Sequence, residues 1–478
     1  MSIARRSLTL LPLAVASRGV AFTVPVLLAQ WYGVSADMDA FYYALGIPTF
    51  LLVVGATTVG SVLVPSLARL PHDRGANGAG ALLGGAVVWA SVGAAVFGVA
   101  LTFVLPSALA LTSDFSAETI EKTRQFCLGL LPFIVCVAAG SALRAGIELQ
   151  ARFTWSALSP VIRTSALLTA ALVLRARGPS GLPLALFIGT ASELLWLYSG
   201  LWTTPLRPRL VLWPATLGPA LRRFAPVLVG ETLVALNVVV DKVYAALLPE
   251  GSVSLLEYAD RARVIPMTLF EGSLLIVAFN TWARVSAAER GFEIRRALQW
   301  VLLIAPPVLC GLWVGRVVAI QVIFERGAFG ADSTVAVAAA FGLFLPGVLA
   351  AMLAGLAVKA HLLADRARLV LVLGVASFAI NAGLDAVLLQ FGITGLALAT
   401  SLTSWMIAAL SLARLWRELP TGRSWAVPIG ILAASVGLAG ALAAAGVEPT
   451  RVSDPRLWAA AVPFVLLLGL GLREARIK

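Results

Sequence analysis

Charge is scarce in this sequence: 13% of its 478 residues are Asp, Glu, Lys or Arg, against about a quarter in an ordinary soluble domain. With 60% hydrophobic residues and a mean hydropathy of +0.93, the chain cannot cover a water-facing globule with polar surface. Histidine is almost missing, with only His72 and His361, both read as loop-edge residues. No Ser/His/Asp set, paired carboxylates or metal-ligand cluster can be assembled from what is present, so enzyme chemistry is not expected. The three cysteines, Cys127, Cys136 and Cys310, all fall in apolar runs. An odd number so placed argues against a disulfide framework or a cysteine metal site, and they read as packing residues. A Gly-Lys-Ser/Thr phosphate loop is also missing, so any work done by the chain draws on an ion gradient, the membrane potential or substrate flux. No cofactor is expected beyond a possible coupling ion of unknown identity.

Long apolar runs are what the chain has in abundance. From Ala79 to Leu111 there is no charge at all. A spanning helix needs about 20 apolar residues, whereas barrel strands would alternate. Reading polar breaks against this length predicts an all-α polytopic membrane protein with about fourteen spans. They fall near 7–31, 40–68, 80–111, 125–146, 156–174, 182–204, 222–248, 259–285, 297–323, 333–362, 368–390, 393–416, 425–446 and 457–472. Arg5 and Arg6 before an apolar stretch imitate a secretory signal, but apolar sequence continues to Leu28, which favours an uncleaved first span. The net charge of +12 need not mean nucleic acid, because cations collect in the loops expected inside, including Arg69, Arg74, Arg144, Arg152, Arg207 and Arg209. Acids such as Asp37, Asp39, Asp114, Glu118, Glu250 and Glu257 collect outside. Both termini are therefore expected in the cytoplasm, in a bacterial inner membrane.

The chain also repeats itself at a spacing of about 214 residues, the mark of a duplicated transporter. Gly129-Leu130-Leu131-Pro132 matches Leu343-Phe344-Leu345-Pro346, and Asp114-Phe115-Ser116-Ala117-Glu118 matches Ala328-Phe329-Gly330-Ala331-Asp332. Ile47-Pro48 pairs with Ile265-Pro266 across small gaps. The expected organisation is an N-terminal lobe (1–210), a C-terminal lobe (211–420) and a two-helix appendage (421–478). Six helices per repeat let both copies enter the membrane in the same sense, with alternating access at their interface.

A charge at membrane depth costs at least about 2.5 to 3.5 kcal/mol on insertion scales, so ionisable residues within the spans are expected to face a cavity or a partner. Arg18, Arg163, Glu193, Glu231, Asp241, Lys242, Arg261, Arg263, Glu271 and Asp385 are such residues. Arg18 and Arg261, with Arg263, are candidates to hold an anion such as a pyrophosphate, for which the guanidinium offers a bidentate fork. The alternative is an internal ion pair, Arg261 or Arg263 with Asp241, or Lys242 with Glu231. Pro25, Pro48, Pro132, Pro266, Pro306, Pro307 and Pro346 lie in apolar runs and are expected to bend helices.

Ser17-Arg18, Asp39-Ala40-Phe41, Ile47-Pro48, Val64-Pro65, Gly251-Ser252-Val253-Ser254, Tyr258-Ala259-Asp260-Arg261, Arg326-Gly327-Ala328-Phe329 and Gly395 to Ser401 occur in an order that resembles the MurJ (MviN) family of lipid II flippases. That family lies within the multidrug/oligosaccharidyl-lipid/polysaccharide exporter superfamily. The resemblance implies two lobes around a cationic cavity, an appendage forming a groove for a polyprenyl tail, and export of a lipid-linked peptidoglycan precursor. It makes Arg18 and Arg261 headgroup contacts and Asp39 a gate residue, with Glu231, Asp241 and Lys242 as further gate or ion-coupling candidates. Where the family carries an Arg followed by an acid, a Lys and a basic pair, this chain has Val24 and Pro25, Gly46, and Leu52 and Val53. A probable monomer handling a polyprenyl-linked saccharide among membrane lipids, without nucleic acid, is the leading expectation. An exopolysaccharide or O-antigen-type unit as cargo, a cation-coupled drug exporter and a non-transporting envelope scaffold remain open.

Overall fold

The computed structural model describes residues 19–46, 49, 75–150, 152–204, 206–214, 236–270, 278, 282, 285–364, 366–420 and 424–476. Among these residues the regular structure is helical, with no strand. Hydrocarbon dictates this, because each backbone N–H and C=O must find its partner within its own segment. Eight helical stretches among the described residues are long and apolar enough to cross a membrane. Two of them, Thr154–Trp202 and Arg368–Trp416, each hold a pair of helices joined by a short 3-10 turn. The chain is a multi-pass membrane protein. Parts of the spans expected at 7–31, 40–68, 222–248 and 259–285 lie outside the described residues.

Packing divides the chain into two compact units, Met1–Val253 and Ser254–Lys478. In the first, α1 (Gly19–Tyr32) and α2 (36–46) are followed by α3 (Gly75–Thr112), α4 (Ala117–Leu149), α5 (Phe153–Leu174), α6 (Leu182–Trp202) and α7 (Asn237–Ala245). α4 packs between α3 and α6, and α6 also packs along α5. Leu82 and Leu83 of α3, Ala142 and Ile147 of α4, and Leu197 and Leu201 of α6 form a shared core. Small residues set the spacing, since a Cβ on Gly146 would come within 2.8 Å of Leu83 and one on Gly200 within 2.7 Å of Ile147.

The second unit comprises α8 (Ser252–Phe270, beginning just before the division), α9 (Ala287–Val314), α10 (Arg316–Phe324), α11 (Ala331–Leu363), α12 (Ala367–Leu388), α13 (Gly392–Trp416), α14 (Ala426–Ala444) and α15 (Pro455–Arg476). α11 packs on α9, α10 and α13, α13 packs along α12, and α14 and α15 both lie on α9. The sequence repeat reappears in helix bounds. α4 and α11 are both 33 residues long and carry Pro132 and Pro346 at matching places. α5 and α12 are both 22 residues long, and each leads into a turn where a glycine, Gly178 or Gly392, takes a left-handed φ of 66° or 65°. Buried Tyr43 and Phe115 meet edge-on at 5.9 Å in the first unit, as Tyr258 and Phe329 do at 5.3 Å in the second.

Several expected boundaries move for local reasons. α4 begins at Ala117 rather than near 125, because Ser116 caps it by accepting a hydrogen bond from the Thr119 N–H at 3.2 Å. It also runs on to Leu149, so Arg144 lies inside the helix and not in a loop. α8 starts at Ser252, which places Glu257 within a helix instead of an outer loop. The span expected at 297–323 is two helices divided at Gly315. His361 is not a loop-edge residue: it is fully buried in the last turn of α11, with Nε2 3.0 Å from the Ser411 carbonyl.

Candidate functional site

Apolar helices leave few places where polar atoms gather, and those places define the candidate site. In the first unit, Asp39 on α2 is fully buried and accepts a hydrogen bond from the Gly251 N–H at 2.5 Å. Lys242 on α7 is also buried, and its ammonium donates to the Tyr42 carbonyl at 2.9 Å. Gly46 makes room for that side chain, since a Cβ there would come within 2.9 Å of the Lys242 Cδ. These two contacts tie the 237–251 segment to α2. Asp241, the neighbouring expected residue, is half-buried on α7. Arg18 and Glu231 lie outside the described residues.

The 246–251 loop is fastened a second time beside Gly251. The Glu250 carboxylate accepts from the Ser116 N–H at 3.1 Å and from the Thr119 hydroxyl at 2.6 Å, and these bonds hold its pKa below the ordinary carboxylate range. Asp37 meets the Lys122 ammonium at 2.6 Å close by.

In the second unit, Arg261 pairs with Glu257 one turn back on α8, at 2.6 Å. Glu257 is 7% exposed and Arg261 38%, so the buried acid holds the guanidinium of a partly exposed arginine. Arg263 donates to Asp260 at 2.6 Å and lies over the Phe344 ring at 4.8 Å, so it packs against α11. Farther along, fully buried Asp385 accepts from the Asn381 amide at 2.9 Å on α12. Among the described residues no group of three or more His, Cys, Asp or Glu side chains is placed to hold a metal ion.

Two features were missed from the sequence. Glu193 of α6, buried, is gripped by Arg144 of α4 and by Arg163 of α5, the latter at 3.1 Å. Arg163 and Glu193 were recognisable as intramembrane charges, but Arg144 was hidden by its place near the end of an apolar run. The second is an apolar cavity of about 400 Å³ between α9, α10 and α15, walled by Gly311, Leu312, Gly315, Leu457 and Phe464. α15 lies this close to α9 because a Cβ on Gly471 would strike the Leu303 carbonyl at 2.3 Å. Arg316 of α10 fixes the 445–454 turn through Glu448 at 2.8 Å.

The family model for lipid II flippase MurJ matches residues 28–464. A lipid II flippase MurJ of Burkholderia cenocepacia is 25% identical over 373 residues, covering 73% of this chain and 72% of that protein. A probable lipid II flippase MurJ of Haemophilus influenzae is 23% identical and covers 82% of each chain. Among solved structures, a lipid II flippase MurJ in an inward closed conformation is similar in fold, with a TM-score of 0.85 at 19% identity over 98% of this chain and 100% of that one. An inward-facing multidrug resistance MATE transporter of the MOP superfamily follows with a TM-score of 0.70 at 12% identity, over 88% and 95% of the two chains. With a family match running through both units, the chain belongs to the MurJ family of lipid II flippases.

Proposed function

We propose that this chain moves a polyprenyl-pyrophosphate-linked saccharide, lipid II, across the bacterial inner membrane. The observation that carries the reading is the family match over residues 28–464, which includes every described candidate residue. The chain is then a transporter and not a catalyst. Its fourteen spans form lobes at 1–210 and 211–420 with an appendage at 421–478, and alternating access between the lobes carries the headgroup. Arg18 and Arg261 hold the pyrophosphate, and Arg263 supports them from α8. The partly exposed guanidinium of Arg261, backed by buried Glu257, supports that role. Asp39 and Lys242 gate the path through their contacts with Gly251 and Tyr42, and Asp241 and Glu231 are further gate or ion-coupling residues. The cavity along α15 accepts the polyprenyl tail. The chain acts as a monomer with both termini in the cytoplasm.

The drug-exporter reading wants free acids, and Glu193 is already held by two arginines.

Complementation of a strain depleted of its own lipid II flippase tests the cargo. Growth rescue by the wild-type chain, and loss of rescue by Arg261→Ala at equal membrane abundance, is the expected result. No rescue despite good insertion would remove lipid II from the proposal.

A further inference from the structure

Glu193 sits midway along α6 and Arg163 midway along α5, each roughly 15 Å from either helix end at 1.5 Å per residue. Arg144 reaches the same carboxylate from α4. One arginine would neutralise Glu193, yet two are present. Counting the nearby Glu148 and Arg152, the five groups sum to one net positive charge. The guanidinium groups are also incompletely used. Each donates one hydrogen bond to Glu193, and among the described residues their other N–H groups meet no acceptor. The side chains of Arg144 and Arg163 are 28% and 33% exposed, against 6% for Glu193.

Open guanidinium donors at this depth cannot face hydrocarbon, where each unmet polar group costs several kcal/mol. They face water or an anion. Packing does not require them either. The sequence repeat places Val358, Ser377 and Ile407 at the corresponding positions of α11, α12 and α13. Those helices pack in the same pattern as α4, α5 and α6, with α13 against both α11 and α12. The same scaffold therefore stands without the charges.

We infer that Arg144 and Arg163, spread apart by Glu193, form a binding site for a lipid-borne phosphate within the first unit. Glu193 fixes the two guanidinium groups so that their outward N–H donors converge on one anion, as bidentate arginine contacts to phosphate do. The phosphate can come from the pyrophosphate of a polyprenyl-linked cargo, a source that rests on the flippase reading, or from a membrane phospholipid headgroup. Both present the same oxygens to the site.

The test uses the purified full chain in phosphatidylcholine nanodiscs with two probes, undecaprenyl pyrophosphate and phosphatidylglycerol, and reads retained lipid by native mass spectrometry. Arg144→Gln and Arg163→Gln should each weaken retention of at least one probe by about tenfold, the scale of one lost charge-assisted contact. Arg163→Lys, which keeps the charge but not the fork, should bind between Arg163→Gln and wild type, and Glu193→Gln, which keeps a hydrogen-bonding side chain between the two guanidinium groups, should retain more than either arginine-to-glutamine variant. Loss confined to phosphatidylglycerol assigns the site to a membrane phospholipid; loss confined to undecaprenyl pyrophosphate assigns it to cargo. Undiminished retention of both probes in the two glutamine variants overturns the inference. So does lowered thermal stability in every variant, Arg163→Lys included, with retention falling in parallel, which marks a structural staple. Wild-type protein that never retains undecaprenyl pyrophosphate sinks the flippase reading instead, leaving the phospholipid arm to decide this one.

Discussion

Glu250 is a single carboxylate that holds two elements together, accepting from the Ser116 N–H and the Thr119 hydroxyl at the start of α4. Because those bonds favour the charged form, its folded pKa lies below that of an ordinary glutamate. The stabilisation it supplies is therefore fully present above the unfolded carboxylate pKa and is lost as pH falls through the lowered folded value. A thermal-unfolding series in detergent from pH 7 downward should show wild type losing stability below about pH 4.5, with Glu250→Gln flatter over that window. Identical slopes would mean the latch contributes nothing. Asp39 holds the next residue of the same loop, Gly251, but is fully buried, so the penalty for removing it is larger. Asp39→Ala leaves the Gly251 N–H without its acceptor and should cost about 1–3 kcal/mol, read as a lowered Tm. Lys242→Met tests whether Asp39 and Lys242 act as one device: transport should fall in both variants, since both tie 237–251 to α2.

At the scale of elements, the segment 206–214 is held on α3 like a strap. The Arg209 N–H donates to the Gly80 carbonyl at 3.0 Å, the Trp89 indole donates to the Leu212 carbonyl at 2.6 Å, and Trp89 meets Trp213 edge-on at 5.5 Å. Glycine permits the approach, because a Cβ at Gly84 would lie 1.8 Å from the Arg209 carbonyl oxygen. Gly84→Ala must push the strap away, with a cost of about 1–3 kcal/mol. Trypsin cleavage after Arg209 in the purified protein should then become faster, whereas Gly93→Ala, with nothing within 4 Å, should leave it unchanged. Equal cleavage rates in the two variants would show that the strap is not held by this contact. None of this was legible in the sequence, where Arg207 and Arg209 read only as loop cations. The helices themselves were legible, because a run such as 79–111 admits one structure in lipid. Their ends were less so. Ser116 and Ser286 begin α4 and α9 through side-chain caps, a signal that an apolarity count ignores. Arg144 was misplaced for the same reason: an isolated cation near the end of a run looks like a loop until its partner, Glu193, is seen on another helix.

For the whole molecule, the duplication was readable because it survives as a fixed offset in prolines and glycines, residues whose backbone roles are hard to replace. What the offset could not reveal is that Arg144, Arg163 and Glu193 meet one another, where the second half has Val358, Ser377 and Ile407. The C-terminal pair was legible only as an addition with no counterpart; its purpose depends on the surface that it encloses. α15 touches α9 through Gly471 and Gly315, yet leaves an apolar cavity at Gly311. A Cβ at Gly311 would meet Phe464 first, at an ordinary 3.6 Å, and Gly311 lines the cavity, so the rest of a larger side chain has that space to enter. Gly311→Leu should therefore leave thermal stability near wild type while occupying the space offered to a polyprenyl tail. In reconstituted vesicles, flipping of a lipid II analogue with a full-length chain should fall several-fold, and flipping of an analogue with a chain of two isoprene units should persist. A cavity that serves only as slack between α9 and α15 predicts the reverse pattern: a stability gain from filling it and equal rates for both analogues.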